Sequence, residues 1–185
     1  MTLCLLRTCG SAPRMRGAHG ETDGMALWQF SFSAIPAAKA NIGGVDVIYL
    51  GPEALDGIDL DLSPNDLEPL FSAFDALLPE KRSWSDSLRI WGDEKAHDIQ
   101  VSFDGTRVEC IEFRLDVSKP SVALVNGICA LARKFGWVLV SRTGAVIQPT
   151  PEAVARVIIQ SPASKYVSDP QAYLAQATRP DGGRT

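Results

Sequence analysis

The stretch SWSDSLRIWGDEKAHDIQVSFDGTRVECIEFRLDV, residues 83–117, decides how this chain folds. Within it Ile99, Val101 and Phe103 alternate with Gln100 and Ser102, the period-two pattern of a strand with one buried face. Asp104-Gly105 follows, and Asp-Gly between alternating runs is the signal of a tight hairpin, because a type I′ turn needs positive φ at both central residues. With that pair as the whole loop, Phe103 opposes Thr106, Val101 opposes Val108, and Ile99 opposes Cys110. The apolar partners then gather on one face.

Beyond Cys110 the apolar positions continue at Ile111, Phe113, Leu115 and Val117, so the pattern slips by one residue. A β-bulge near Cys110–Ile111 restores the match and sets His97 opposite Phe113, on the buried side or at its rim. The outer face then carries Asp98, Gln100, Ser102, Arg107, Glu109, Glu112 and Arg114. Upstream, Leu88–Gly92 reads as a third strand in which Arg89 and Trp91 share a side. Assigned to the outer face, they set an aromatic among alternating charges, and Trp and Arg are the types that anchor interfaces. The alternative is a solvated face laced by cross-strand ion pairs. Trp28, Trp84 and Trp137 read as core.

Working outward, the 185 residues, 45% apolar and 22% charged, fit one globular domain over residues 25–178. No apolar run reaches 18 residues, so no membrane-spanning helix is expected. A net charge of −4 argues against a general nucleic-acid binder, which needs a basic face. None of the four cysteines forms a C-x-x-C pair, which speaks against a zinc or thioredoxin-like site. Cys110 and Cys129 read as small buried residues with free thiols, as in a reducing, cytoplasmic compartment. Residues 1–24 lack periodicity and read as a disordered extension ahead of Met25, and residues 179–185 as a frayed tail.

The remaining elements follow from punctuation. Leu27–Ser33 alternates as a strand that Ile35-Pro36 ends, and Val45–Leu50 reads as a second strand. The acids Glu53, Asp56, Asp59, Asp61 and Asp66 fit a calcium loop poorly and read as turn and cap residues. Leu67, Leu70, Phe71, Phe74, Leu77 and Leu78 mark a helix capped by Asp66. A second helix starts at Ser118 and ends at Gly136, with Gly127 inside it for close packing on the sheet. A strand at 137–140, a turn at 142–144, a strand at 145–147 and two helices capped by Thr150 and Asp169 complete the order. Adjacent strands with short links predict an α+β fold, a mostly antiparallel sheet with helices packed mainly on one face.

Taken together, Trp28-Gln29-Phe30, Ile35-Pro36, Leu88-Arg89-Ile90-Trp91-Gly92, Asp98-Ile99-Gln100-Val101 and Arg114-Leu115-Asp116 resemble a group of small bacterial α+β proteins of unknown function. Some of these are similar to immunity proteins that neutralise a toxin made by the same cell. The resemblance spans residues 25–177 and rests on structural rather than catalytic motifs. It implies a protein partner, such as a toxin, and no reaction.

The chemistry of the sequence agrees with that implication. G-x-S-x-G, G-x-x-x-x-G-K-[ST] and G-x-G-x-x-G are all missing, so no cofactor is expected. His97 is the only histidine after residue 24, which leaves no two-histidine metal site in the folded part. Three readings stand. The first is a cytoplasmic, non-enzymatic protein-binding domain whose partner face holds Arg89, Trp91, Asp98, Gln100, Arg107, Glu109, Glu112 and Arg114. The second is a small-molecule-binding domain or enzyme with His97 and Asp98 as its catalytic candidates. The third is a structural subunit of a larger assembly. The oligomeric state is not encoded in any motif.

Overall fold

A computed structural model describes residues 26–177 of the chain. The extension expected over 1–24 and the tail over 179–185 lie outside the described residues. In chain order the elements are β1 (Gln29–Pro36), a 3-10 turn (Ala37–Ala40), β2 (Asn41–Ile42), β3 (Val45–Asp46), α1 (Pro52–Leu55), α2 (Pro64–Leu77), β4 (Glu80–Lys81), β5 (Leu88–Gly92), β6 (Asp98–Asp104), β7 (Arg107–Asp116), α3 (Val122–Lys134), β8 (Trp137–Ser141), β9 (Val146–Ile147), α4 (Pro151–Gln160), α5 (Pro162–Ser168) and α6 (Pro170–Ala177). Seven strands form one sheet in the order β4-β5-β6-β7-β1-β8-β9, with β2 and β3 as a separate hairpin. All the pairings are antiparallel, and the fold is α+β as the sequence implies.

The central hairpin forms, with a different turn. Asp104 pairs with Arg107 and Phe103 with Val108, so Gly105-Thr106 is the loop. Gly105 has φ +62° and Thr106 keeps an ordinary negative φ. This is the type II′ arrangement, with glycine first, and it spares Asp104 the positive φ that an Asp-Gly loop would impose. Farther from the turn Ser102 pairs with Cys110, which leaves Glu109 as the extra residue of a bulge. The expected bulge is therefore real and sits just before its expected place. Beyond it Val101 meets Ile111 and Ile99 meets Phe113, all facing the core.

Helix starts are set by caps. Ser63, not Asp66, caps α2: the Ser63 N–H and Oγ both donate to Asp66 Oδ2, at 2.9 and 2.6 Å, and Pro64 takes the first helical position. Ser121, not Ser118, caps α3 by accepting from the Leu124 N–H. Leu70 and Phe74 from α2, Leu124, Ile128 and Leu131 from α3, and Val154 from α4 cover Phe32, Ile99, Val101, Ile111, Phe113, Leu139 and Ile147 of the sheet. Gly127 packs against α2 rather than the sheet: a Cβ there would stand 2.2 Å from Leu77 Cδ2. On the opposite sheet face Ile35, Ala40, Leu50, Val138 and Val140 make a second, smaller core under residues 37–58. Ile35 and Pro36 extend β1 instead of ending it, pairing with Val138 and Trp137. Pro36 is tolerated because it is the last residue of the strand.

Cys129 is free and buried as expected, whereas Cys110 is disulfide-bonded, which corrects the free-thiol reading there. Cys110 is half-buried on the outward face, opposite Ser102, while Cys129 sits inside the helix layer.

Gly92 closes β5 at φ +92°, and a Cβ there would lie 2.3 Å from the His97 carbonyl oxygen. The obstacle is backbone and cannot rotate away. Gly92→Ala is expected to cost about 2–3 kcal/mol from strain and overpacking together, read as a fall in the urea-unfolding free energy. A change below ~0.5 kcal/mol would show that the β5–β6 loop relaxes freely.

Candidate recognition face

Strand alternation sends the even-numbered residues of β6, and those of β7 beyond the bulge, away from the helices. Cross-strand pairing lines them up in rows: Asp98 beside Arg114 and then Ser31, Gln100 beside Glu112 and then Ser33, Ser102 beside Cys110. Asp98, Gln100, Glu112 and Arg114 are thus brought together as expected. They form a braced network more than an open patch. Arg114 Nε donates to both Asp98 oxygens at 2.9 and 3.1 Å, and Nη2 donates to Oδ2 at 2.5 Å. Gln100 adds a 3.0 Å bond to the same Oδ2, and Arg142 approaches Glu112 at 3.5 Å. The Asp98 side chain is 0% exposed and that of Arg114 only 12%. Such a closely paired ionic row fixes strand register.

Burial pushes the Asp98 carboxyl above its ordinary value, against the pull of Arg114 and Gln100. Burial also pushes Glu112 up, opposed by Arg142 and Arg114. Glu109 and Arg107 remain exposed at the bulge and the turn, Arg107 being tied to Asp59 at 3.1 Å and to Asp104 at 3.7 Å.

Arg89 and Trp91 are not on this face. They pair with Val101 and Ile99 and so point toward the helices. Trp91 is 0% exposed, stacks on Phe71, and donates its indole N–H to Asp75 at 2.8 Å. The Arg89 guanidinium lies 4.1 Å from the Phe71 centroid and is held by Glu80 at 2.7 and 2.9 Å. Leu88 and Ile90 take the outer side of β5 instead. Because Leu88, Ile90 and Trp91 are all apolar, alternation alone does not phase this strand. Burying the large indole under α2 decides it.

His97 does not oppose Phe113, which pairs with Ile99. Its Nδ1 accepts the Asp116 N–H at 3.0 Å and its Nε2 lies 2.8 Å from the Lys119 carbonyl. Those partners assign the proton to Nε2. Both ring nitrogens are occupied, and the Asp98 oxygens are spent on Arg114 and Gln100. The pair is therefore not assembled as an acid and a base. Among the described residues no group of three His, Cys, Asp or Glu side chains is placed to hold a metal, and no helix is long and apolar enough to cross a membrane.

The structure adds Trp84, which sequence reasoning put in the core. It is 64% exposed, on a loop at the β4–β5 edge of the sheet. Ser83, Ser85 and Ser87 brace that loop: Ser83 Oγ accepts the Ser85 N–H at 3.2 Å, Ser85 Oγ accepts the Ser87 N–H at 3.3 Å, and the Ser85 and Ser87 hydroxyls lie 3.0 Å apart. The signal was present, since Trp84 has only Arg82 and Asp86 at strand spacing and S-W-S-D-S is rich in turn formers. Two open grooves flank this edge. One of about 550 Å³ is lined by Leu67, Phe71, Asp75 and Arg89, and one of about 340 Å³ by Glu80, Arg82, Ser83 and Leu88. Compared with protein-family models, curated proteins and solved structures, the chain matches none.

Two outcomes test the buried network. A carboxyl raised by burial binds its proton more often in the folded than in the unfolded state from the ordinary value of 4.5 upward, so stability falls as pH rises through that window. Glu112→Gln, which mimics the neutral acid, should therefore be more stable than the natural chain at neutral pH. The advantage should close below pH 4.5, where the natural carboxyl is protonated in both states. Urea titrations across pH measure this, and equal stability at neutral pH would refute a costly Glu112 carboxylate. Separately, Arg114→Leu strands Asp98 and is expected to cost about 3–5 kcal/mol, with Asp98→Asn in the same chain restoring part of the loss.

Proposed function

We propose that the chain is a non-enzymatic protein-recognition domain of the immunity-protein kind, acting in the bacterial cytoplasm to neutralise a toxin. The observation that carries this reading is Trp84, a large amphipathic side chain held in water by a loop whose hydroxyls fix its backbone. Exposure of an indole costs solvation, and a rigid loop removes the entropy that binding would otherwise lose. A preordered tryptophan beside charged neighbours is the composition of an interface anchor. Arg82, Gln100, Arg107 and Glu109 supply the accessible polar surroundings, which set orientation and partner choice more than affinity. Asp98, Glu112 and Arg114 hold the strands beneath in register and act on the partner only through that scaffold. Trp91, inside the core, takes no part.

The immunity reading predicts a toxin encoded beside this chain, and co-expression should protect cells from it. Trp84→Ala should weaken binding to that toxin by roughly 30-fold or more, the effect of a hot-spot residue, with an unchanged unfolding midpoint. Unaltered affinity would remove Trp84 as the anchor. Failure of the natural chain to bind or protect would remove the immunity reading itself.

A further inference from the structure

The outer face of the sheet is buried in a region that neither described layer covers. Leu88 and Ile90 point away from the helices on β5, yet they are 5% and 0% exposed. Helices α2, α3, α4 and α5 put their buried side chains into the core on the other face. Residues 37–58 do lie on the outer side, but they close over Ile35, Val138 and Val140 toward β8. Leu88 and Ile90 belong to neither core. The β7 residue in line with them is Cys110. Leu88 pairs with Ser102, and Ser102 with Cys110, which sets Cys110 two strand spacings, about 10 Å, from Leu88. Cys110 is disulfide-bonded, whereas Cys129 is free. The chain has four cysteines, so the bond runs to Cys4 or Cys9.

We infer that residues 1–24 are a strap bound across this face and pinned at Cys110 by a disulfide from Cys4 or Cys9. Burying Leu88 and Ile90 is favourable only under apolar cover, and two terminal segments lie outside the described residues. The C-terminal one, TRPDGGRT over 178–185, offers no large aliphatic or aromatic side chain. The N-terminal one carries Leu3, Leu5 and Leu6, all close in sequence to both candidate cysteines. Its reach is ample. Residues 10–25 separate Cys9 from the first described residue, and a linker of that length spans up to about 50 Å. The return from Gln29 to Ser33 is only about 13 Å, and the Cys110 Sγ lies 3.9 Å from the Ser33 Oγ. The few apolar residues of the segment argue for disorder on their own. A cross-link changes that balance, because it removes loop entropy from the unfolded chain. A reducing compartment opens the cross-link and leaves the strap to contact alone. Trp84 stands at the sheet edge, so the inference does not depend on its role.

The test uses the full chain, purified without reductant and labelled at its leucine and isoleucine methyl groups for NMR. Nuclear Overhauser contacts should join the methyl groups of Leu3, Leu5 or Leu6 to those of Leu88 or Ile90. Proteolysis without reduction, followed by mass spectrometry, should yield a peptide joining Cys110 to Cys4 or Cys9. The cross-link closes a loop of about 100 residues, so added reductant should lower the unfolding midpoint by about 10 °C. Cys110→Ser should start from that lower midpoint and ignore reductant. If that variant fails to fold, the methyl contacts and the cross-linked peptide of the natural chain decide the matter. Residues 1–24 that relax as a free coil in the oxidised chain, with no methyl contact to the sheet, overturn the strap. So does a Cys110 that is unbonded or joined to a second chain, which would assign the face to a separate partner. Binding of a toxin through Trp84 is measured separately, so either result leaves that reading to its own test.

Discussion

Strand β1 is hydrogen-bonded on both sides, to β7 through Gln29–Ser33 and to β8 through Phe32–Pro36. That double pairing joins the three-stranded meander of residues 88–116 to the later β8–β9 pair, and without it the sheet is two fragments. Seven of its eight residues are buried, as a strand between two neighbours with cover on both faces requires. Phe32 shows the consequence: it lies 5.6 Å from Phe113 and 5.8 Å from Phe30, ring centre to ring centre, so β1 carries the aromatic contacts that tie the meander to the core. Its partners are 79 or more residues away in sequence, so much of the loop-closure entropy of folding falls on these pairings.

The sheet is treated differently along its width. Toward the helices it is largely apolar, with the charge of Arg89 set over Phe71 of α2. Away from them it is apolar at Ile35, Val138, Val140 and Val146, where residues 37–58 fold back, and largely ionic or hydroxylic over β6, β7 and the Gln29–Ser33 part of β1. An ionic face with this much burial is stable only when its members are paired, since a lone buried charge is costly. The Asp98–Arg114–Gln100 arrangement meets that condition. Its effect is register: a one-residue slip would bring a carboxylate into the helix layer. Both sheet edges are also protected, β9 by backbone bonds from residues 48–50 and β5 by the short β4 and the serine-braced loop, which limits strand-by-strand aggregation. Exposed large apolar side chains lie at the margins, Trp84 on its loop among them.

The candidate face illustrates how far alternation can be trusted. In β6 and β7 polar and apolar residues strictly alternate away from the bulge, and Asp98, Gln100, Glu112 and Arg114 fall on one side by that rule alone. In β5 the run Leu88-Arg89-Ile90-Trp91 has three apolar residues in four, and both phases look acceptable. The phase was set by Phe71 and Phe74 of α2, which receive the Trp91 ring, and by Asp75, which takes its N–H. His97 was readable as a residue at a strand end but not as one whose two nitrogens are both claimed by backbone, because Asp116 and Lys119 come near it only once β7 lies beside β6.

Sequence alone determined the α+β class, the meander of residues 88–116 with its bulge, the helices marked by Leu67 to Leu77 and Leu124 to Phe135, and the charged row on β6 and β7. These are local: period, turn chemistry and caps act within a few residues. Tertiary structure decided the middle position of β1, the inward turn of Arg89 and Trp91, the closed hydrogen bonding of His97 and the exposure of Trp84. Each depends on which distant surface comes to cover a side chain, and burial is a property of the packed chain that no short window of residues contains.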